Sequence, residues 1–325
     1  MHELVRGGWL FGWILLGPMT DLATAQAPRV VPPQAKTQAP GYYRMMLGDF
    51  EVTVVSDGTV PLPADKLLTD IPVEEVRALV GRSRATLPLE ASINTFLIHT
   101  GDHLILVDAG AGRAFGPKFG GRLIANLRAA GYQPEQVDAV LLTHIHGDHS
   151  MGLTVDGARV FPNADVYVNR VERDFRLSPD EAAKASPGDK HYFEEAHQAL
   201  DLYIKASRIK VFDGAVELFP GIATRPAPGH TPGHTFFVVE SRGQKLVLIG
   251  DTVHAAEVQF PRPSTTIQYD VDPSGAARRR LATFQEAADQ RFWVGANHIS
   301  FPGLGHIRAE GPGFTWIPAP YHLGP

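Results

Sequence analysis

The sequence predicts a layered α/β domain with helices outside and sheets inside. Three observations lead there. Strand-like and helix-like segments alternate with no long linker after residue 41. Two apolar hairpins, far apart in the chain, each end on an aspartate. A dense imidazole cluster directly follows an apolar run, which puts polar chemistry at the C-terminal end of a strand, the edge where α/β sheets tend to form their sites.

The 325 residues are 44% hydrophobic and 20% charged, a composition that supplies one large core or two small ones. The net charge of -5 gives no electrostatic footprint for nucleic acid. There is no cysteine, so disulfides, thiolate metal ligands and a cysteine nucleophile are all excluded.

Residues 1–27 read as a signal peptide. A short start carrying Arg6 precedes an apolar stretch from Gly7 to Met19, and Ala23-Thr24-Ala25 and Ala25-Gln26-Ala27 offer small-residue cleavage sites. The apolar stretch is shorter than the roughly 20 residues a spanning helix needs. Export to the bacterial periplasm or beyond is expected, with no stable membrane span after processing; Glu3 leaves an uncleaved anchor as the alternative. Residues 28–40, rich in Pro, Gln and Ala, read as a flexible arm, and 41–325 as the folded domain.

Within that domain Phe50 to Ser56 alternates as a strand closed by Asp57-Gly58. Pro61 to Pro88 is irregular apart from a helix from Val73 to Val80. Thr95–Ile98 turns at Gly101-Asp102 and returns as Leu104–Val107, ending on Asp108. Thr235–Val239 turns at Arg242-Gly243 and returns as Leu246–Ile249, ending on Gly250-Asp251. The pair is either a weak internal repeat, implying two related β-rich halves, or a coincidence between core hairpins. Arg122 to Ala130 is an amphipathic helix stopped by Gly131, and Val137 to Leu142 is a buried strand. Asp165 to Asn169 is another strand. Asp180 to Ala206 is helical with a break at Ser186-Pro187-Gly188. Ile209–Phe212 and Ala215–Leu218 are short strands. Pro273 to Gln290 is a helix whose Arg278-Arg279-Arg280 triplet is expected on a solvated face. Phe292–Ala296 and Phe314–Ile317 complete the strands.

The chemistry centres on Thr143-His144-Ile145-His146-Gly147-Asp148-His149, with three imidazoles and one carboxylate. Imidazole nitrogen and carboxylate oxygen suit borderline metals such as zinc, and a merely solvated loop has little reason to be so dense in them. Further donors sit in Pro228-Gly229-His230-Thr231-Pro232-Gly233-His234, in Gly250-Asp251 and in Asn297-His298, each at or beside the end of an apolar strand. Taken singly, each of these could be a structural hydrogen-bonding or capping residue. No dinucleotide fingerprint is visible, since Gly110-Ala111-Gly112 lacks the third glycine.

This set of motifs resembles the metallo-β-lactamase superfamily. Nearly the whole mature chain is similar to its methyl parathion hydrolase group. The matching segments include Ala39-Pro40-Gly41-Tyr42-Tyr43-Arg44-Met45, Ser56-Asp57-Gly58-Thr59-Val60 and Phe301-Pro302-Gly303-Leu304-Gly305-His306-Ile307. The resemblance implies a four-layer αβ/βα sandwich, two mixed sheets with helices outside, around two divalent metal ions. Zinc comes first, with cobalt, manganese and iron compatible. It implies that His144, His146 and His230 hold one ion, that Asp148, His149 and His298 hold the other, and that Asp251 bridges them together with a water or hydroxide. Asp108 either orients a ligand imidazole or caps a turn.

Such a centre activates water without a Ser or Cys nucleophile, so hydrolysis is the expected reaction. Asp251 then serves catalysis as the bridge, and Asp148 as a possible proton donor to the leaving group. Absence of cysteine excludes the β-lactamases that use a Cys ligand, and no cationic cluster suits a glutathione thioester. By the resemblance Phe115 and Phe193 form apolar pocket walls. Arg176 stands where the group has Trp, and His254 and Tyr269 where it has Leu. These three side chains either make the pocket more polar, to hydrogen-bond a lactone or ester oxygen, or merely pack or face solvent. The expected substrates are lactones or aryl esters, with some organophosphate triester hydrolysis. A dedicated organophosphate triesterase and an exported metal-binding protein without turnover are the alternatives. A homodimer is implied by the resemblance alone.

Overall fold

The first element of the domain is a hairpin that only the three-dimensional structure reveals. In this computed structural model, which describes residues 31–321, Tyr42–Leu47 (β1) folds back on Phe50–Leu62 (β2), with Leu47 opposite Phe50. The expected signal peptide lies outside the described residues, and residues 31–38 carry no regular secondary structure. No helix of the described residues is long and apolar enough to cross a membrane.

Leu89–His99 (β3), Leu104–Val107 (β4), Ala139–Leu141 (β5), Asp165–Asn169 (β6) and Ile209–Phe212 (β7) complete a first seven-stranded sheet in sequential order. Glu217–Phe219 (β8), Ile222–Pro226 (β9), Thr235–Ser241 (β10), Gln244–Leu248 (β11), Trp293–Gly295 (β12), Leu304–Glu310 (β13) and Gly313–Pro318 (β14) form the second, also in sequential order. The two hairpins of the sequence reading are β3–β4 and β10–β11, both antiparallel. Each is followed by a parallel neighbour, β5 beside β4 and β12 beside β11. The two sheets therefore repeat the same local arrangement.

Alternation along the strands assigns each side chain to a layer. Val52, Val54, Phe96, Ile98, Ile105 and Val107 of one sheet pack against Phe237, Val239, Leu246 and Leu248 of the other, forming the central core. The opposite face of the first sheet, including Leu97, Leu106 and Val140, packs on Leu123 and Leu127 of the helix Leu123–Ala129. The same face meets Ala196, Ala199, Leu200 and Tyr203 of the helix Lys190–Lys205. Val247 and Val294 of the second sheet pack on Phe284 and Ala287 of the helix Pro273–Gln290. The result is helix, sheet, sheet, helix, as the sequence predicts.

Several local expectations change. Asp57-Gly58 is not a turn: β2 runs through it with a bulge between Ser56 and Gly58. The bulge turns Asp57 inward, where its buried carboxylate accepts the backbone N–H groups of Ala111 (2.8 Å), Gly121 (2.9 Å) and Leu123 (2.8 Å). The strand before the imidazole cluster is only Ala139–Leu141, and β8 is Glu217–Phe219 rather than Ala215–Leu218. β1, β9 and β13 have no counterpart in the sequence reading, because each is short or interrupted by polar residues. The helix Pro273–Gln290 begins where Asp272 accepts the Gly275 N–H, but its basic triplet is not uniformly solvated. Arg280 is fully buried and donates to the carbonyls of Thr252, Pro263 and Thr265, which explains a charge in the core.

Replacing Asp57 with Ala would leave three N–H groups of the 111–123 segment without their acceptor. Loss of about 3 kcal/mol of unfolding free energy is expected, read from urea denaturation, at roughly 1 kcal/mol or more for each buried donor orphaned.

Candidate metal centre

All the candidate donors arrive at one edge of the sandwich for the same reason: strands end there. β4 ends just before Asp108, β5 leads into His144–His149, β11 leads to Asp251 and β12 to His298, while the turn with His230 enters β10 from the same side. Two glycines make this possible. Gly250 has φ +49, and a Cβ there would lie 2.5 Å from His234 Nε2, the atom that accepts the Asp251 N–H. A Cβ on Gly233 would lie 2.2 Å from the backbone nitrogen of Glu172. Glu172, buried, accepts from Ile145 N at 3.1 Å and Gly233 N at 3.0 Å, and so clamps the two histidine turns together.

Two main groups of donors result, and a third, Asp251 with His254 and His298, overlaps both. His144, His146, His230 and Asp251 bring one ligand atom each within 4.8 Å of one another, and so do Asp148, His149 and His298. Asp251 lies between the groups. Its Oδ2 is 3.4 Å from His230 Nε2 and 3.7 Å from His144 Nε2, and its Oδ1 is 3.0 Å from His149 Nε2 and 3.1 Å from His298 Nε2. His298 Nε2 is also 3.4 Å from Asp148 Oδ2.

The outer ring nitrogens explain why the inner ones converge. His149 Nδ1 lies 2.9 Å from Asp108 Oδ2, His230 Nδ1 2.9 Å from Asp270 Oδ1, His298 Nδ1 2.9 Å from the Ser92 carbonyl, and His144 Nδ1 3.1 Å from Thr143 Oγ1. Thr143 Oγ1 itself donates to Asp108 at 2.8 Å. With Nδ1 committed outward, Nε2 is the nitrogen left facing inward, where its lone pair serves a metal once any proton has been displaced. His146 is reversed: its Nδ1 faces His144 Nε2 at 3.0 Å and His230 Nε2 at 3.1 Å, while its Nε2 abuts the Arg176 guanidinium. Ring nitrogens facing one another at such distances share either a proton or a metal cation. His149 Nε2 and Asp251 Oδ1 are moreover buried without a hydrogen-bond partner. The arrangement fits divalent metal ions held by nitrogen and carboxylate oxygen.

The electrostatics agree. Burial, reinforced by neighbouring imidazoles, holds His144 well below its ordinary range, and burial with Arg176 alongside does the same to His146. Burial also disfavours a charged His298, yet Asp251 and Asp148 raise it to about 9. His149 is raised too, against burial, by Asp251, Asp148 and Asp108. Asp251 is kept well below the carboxylate range by the surrounding histidines despite its burial.

Above the donors is a cavity of about 300 Å³, lined among others by Val60, Leu62, Phe115, Tyr192, Glu195 and Tyr269, with His146, Asp148, Asp251, His254 and His298 at its floor. Phe115, His254 and Tyr269 are thus on the wall. His254 Nε2 lies 3.0 Å from Asp251 Oδ2, and its ring stacks on His298 at 5.2 Å and 18°. Arg176 and Phe193 do not line the cavity, which corrects the expected place of Phe193 and leaves Arg176 with the packing alternative. Phe193 belongs to the stripe Phe193, Ala196, Leu200, Tyr203, whose helical spacing turns it into the core, so Tyr192 and Glu195 face the cavity instead. Arg176 is buried behind His146, packed against the rings of Phe175, Tyr192 and Phe193 and 3.7 Å from Glu172. Asp270, Glu172, Tyr192 and Glu195 were not legible as site residues. Only the helical phase of 192 and 195 could have pointed to the last two.

The comparisons with known proteins agree with this geometry. The family model of the metallo-beta-lactamase superfamily matches residues 89–288, and the chain belongs to that superfamily. An N-acyl homoserine lactonase of Bacillus sp is 30% identical over 160 residues, covering 49% of this chain and 56% of the relative. One of Bacillus cereus is 28% identical over 133 residues, covering 39% and 43%. The chain thus spans about half the length of the curated relatives it matches. Among solved structures, the hydrolase AbOPH of the beta lactamase superfamily superposes with a TM-score of 0.84 at 39% identity, over 88% of this chain and 100% of that one. AidC, a dizinc quorum-quenching lactonase in complex with a product, superposes with a TM-score of 0.76 at 25% identity, over 87% and 98%.

Asp270→Asn should weaken zinc retention about 10- to 100-fold in chelator competition, since it removes the carboxylate that orients His230. Loading zinc at pH 7 should release protons, because the carboxylates around His298 raise it to about 9 and those around His149 raise it too, favouring ring protons that a metal must displace. Calorimetry in buffers of different ionisation enthalpy reads the number released, which should fall as the pH is raised past about 9.

Proposed function

We propose that the protein is a dinuclear metal-dependent hydrolase of lactones or aryl esters, with side activity on organophosphate triesters. The observation that carries this reading is the convergence of inward lone pairs from two donor groups, joined by Asp251, on the floor of a cavity of small-molecule size. In this reading His144, His146 and His230 hold one ion, Asp148, His149 and His298 the other, and Asp251 both. When bound, such a pair makes hydroxide available near neutral pH and polarises the carbonyl or phosphoryl oxygen under attack.

The chain's own residues supply the rest. Asp108, Asp270 and the Ser92 carbonyl fix the tautomers of three imidazoles, so the donors need no reorganisation. Val60, Leu62, Ala91 and Phe115 exclude water from one side of the cavity. On the other side Tyr269 offers a hydroxyl and His254 an imidazole edge to an ester or lactone oxygen. In this reading Asp148, the most accessible of the donors, would take the proton of the attacking water and hand it on to the departing oxygen. The lactonases among the relatives support the lactone. The apolar side of the cavity supports a second reading, a dedicated organophosphate triesterase.

Rates on dihydrocoumarin, phenyl acetate and methyl parathion, measured side by side on protein carrying two ions, separate these readings. A lactone or aryl ester is expected to lead in kcat/KM. A triester leading by more than about tenfold would establish the second reading, and no turnover of any would leave a metal-binding protein. Asp251→Asn should lose metal and activity together, with kcat/KM down at least about 100-fold; activity retained at full metal content would remove Asp251 from its bridging role.

A further inference from the structure

The wall of the cavity has one uncommitted charge. Glu195 lines it, half-buried, and among the described residues its carboxylate makes no hydrogen bond or ion pair. The group sits close to the donor turn: a Cβ built on Gly147 would lie 2.6 Å from Glu195 Oε2, so the carboxylate lies over the backbone between His146 and Asp148. Among the described residues no lysine or arginine lines the cavity, and the basic side chain nearest in sequence on its wall is His191. Arg176 is packed behind His146 and Tyr192, out of reach of a ligand in the cavity. A carboxylate held partly out of water without a partner is costly unless something supplies a donor to it. Every other acidic group at the site is already engaged: Asp148 and Asp251 with imidazoles, Asp108 with Thr143, His149 and Asn297.

We propose that Glu195 is a specificity-determining residue that accepts a hydrogen bond from a donor on the substrate, an amide N–H or an ammonium group close to the scissile ester or lactone carbonyl. The inference rests on the hydrolase reading of the same cavity and narrows its substrate class. Esters and lactones with a donor near the carbonyl are selected. Those with a carboxylate or phosphate in that place are disfavoured, because Glu195 meets them with a like charge and no lysine or arginine among the described residues lines the wall to offset it. An N-acylated amino-lactone has the required N–H next to the ring, whereas a simple alkyl lactone has none.

The test is a ratio. On zinc-loaded protein, kcat/KM is measured for an N-acyl homoserine lactone and for an alkyl γ-lactone of similar length without the amide, in the wild type, Glu195→Gln and Glu195→Leu. The preference for the amide-bearing lactone should fall about tenfold or more in Glu195→Leu, and less in Glu195→Gln, which keeps an acceptor but loses the charge. A ratio that moves less than about twofold in Glu195→Leu, with metal content unchanged, would overturn the assignment. If neither lactone is turned over, the lactonase reading fails and Glu195 is judged by binding alone. Calorimetry then compares phenethylammonium with 2-phenylethanol: preferential binding of the cation that disappears in Glu195→Leu supports the acceptor role, and equal affinities in wild type and variant refute it.

Discussion

The Asp251 carboxylate is the contact on which the rest of the site depends. One of its oxygens faces His144, His230 and His254, the other faces His149, and His298 stands near both. Without a negative group at that point, five buried rings would point lone pairs or protons at one another in a region of low dielectric. Without the rings, Asp251 would be a buried charge with nothing to offset several kcal/mol of lost hydration. Neither half of the arrangement is stable alone. The positive φ of Gly250 and the backbone bond from Asp251 to His234 hold the carboxylate where both halves meet.

Around this contact the protein holds most of the rings from outside. Asp108 takes His149, Thr143 and Asn297, and thereby ties β4, β5 and β12 to one carboxylate. Asp270 takes His230 and stands 4.0 Å from the buried Arg280, whose pKa is brought down to about 10 by burial. Glu172 joins the two histidine turns through backbone N–H groups, with Arg176 beside it. Three acids and two arginines, none of them on the cavity wall, thus fix the donors beneath it. The reactive face can stay rigid while the wall residues Phe115, Tyr192, Glu195 and Tyr269 vary in kind, which separates the choice of reaction from the choice of substrate.

The sandwich itself follows from the same economy. Two sheets built on one local arrangement, an antiparallel hairpin followed by a parallel strand, place strand ends at one edge, and the site forms there. The repeat left open by the sequence is therefore visible as shared topology, whatever its origin.

How far the sequence reaches can be traced residue by residue. The layers, the long helix Pro273–Gln290, the break at Ser186-Pro187-Gly188 and the gathering of His144, His146, His149, His230, Asp251 and His298 were legible, because apolar period, turn residues and motif spacing are local signals. The bulge at Asp57 was not, since Asp-Gly reads as a turn and only the pairing with β3 keeps the strand going. Arg280 read as solvated because its partners are carbonyls from Thr252, Pro263 and Thr265, distant in sequence. Phe193 read as a pocket wall and Arg176 as either wall or packing, but helical phase and packing turned both inward and gave the wall to Tyr192 and Glu195. What the sequence by itself determined was the kind of chemistry, because metal donors are identified by residue type and spacing. What only the tertiary structure decided was the shape and charge of the space above them. A wall is made by side chains from separate strands and helices, and whether each points in or out depends on packing that no short stretch of sequence contains.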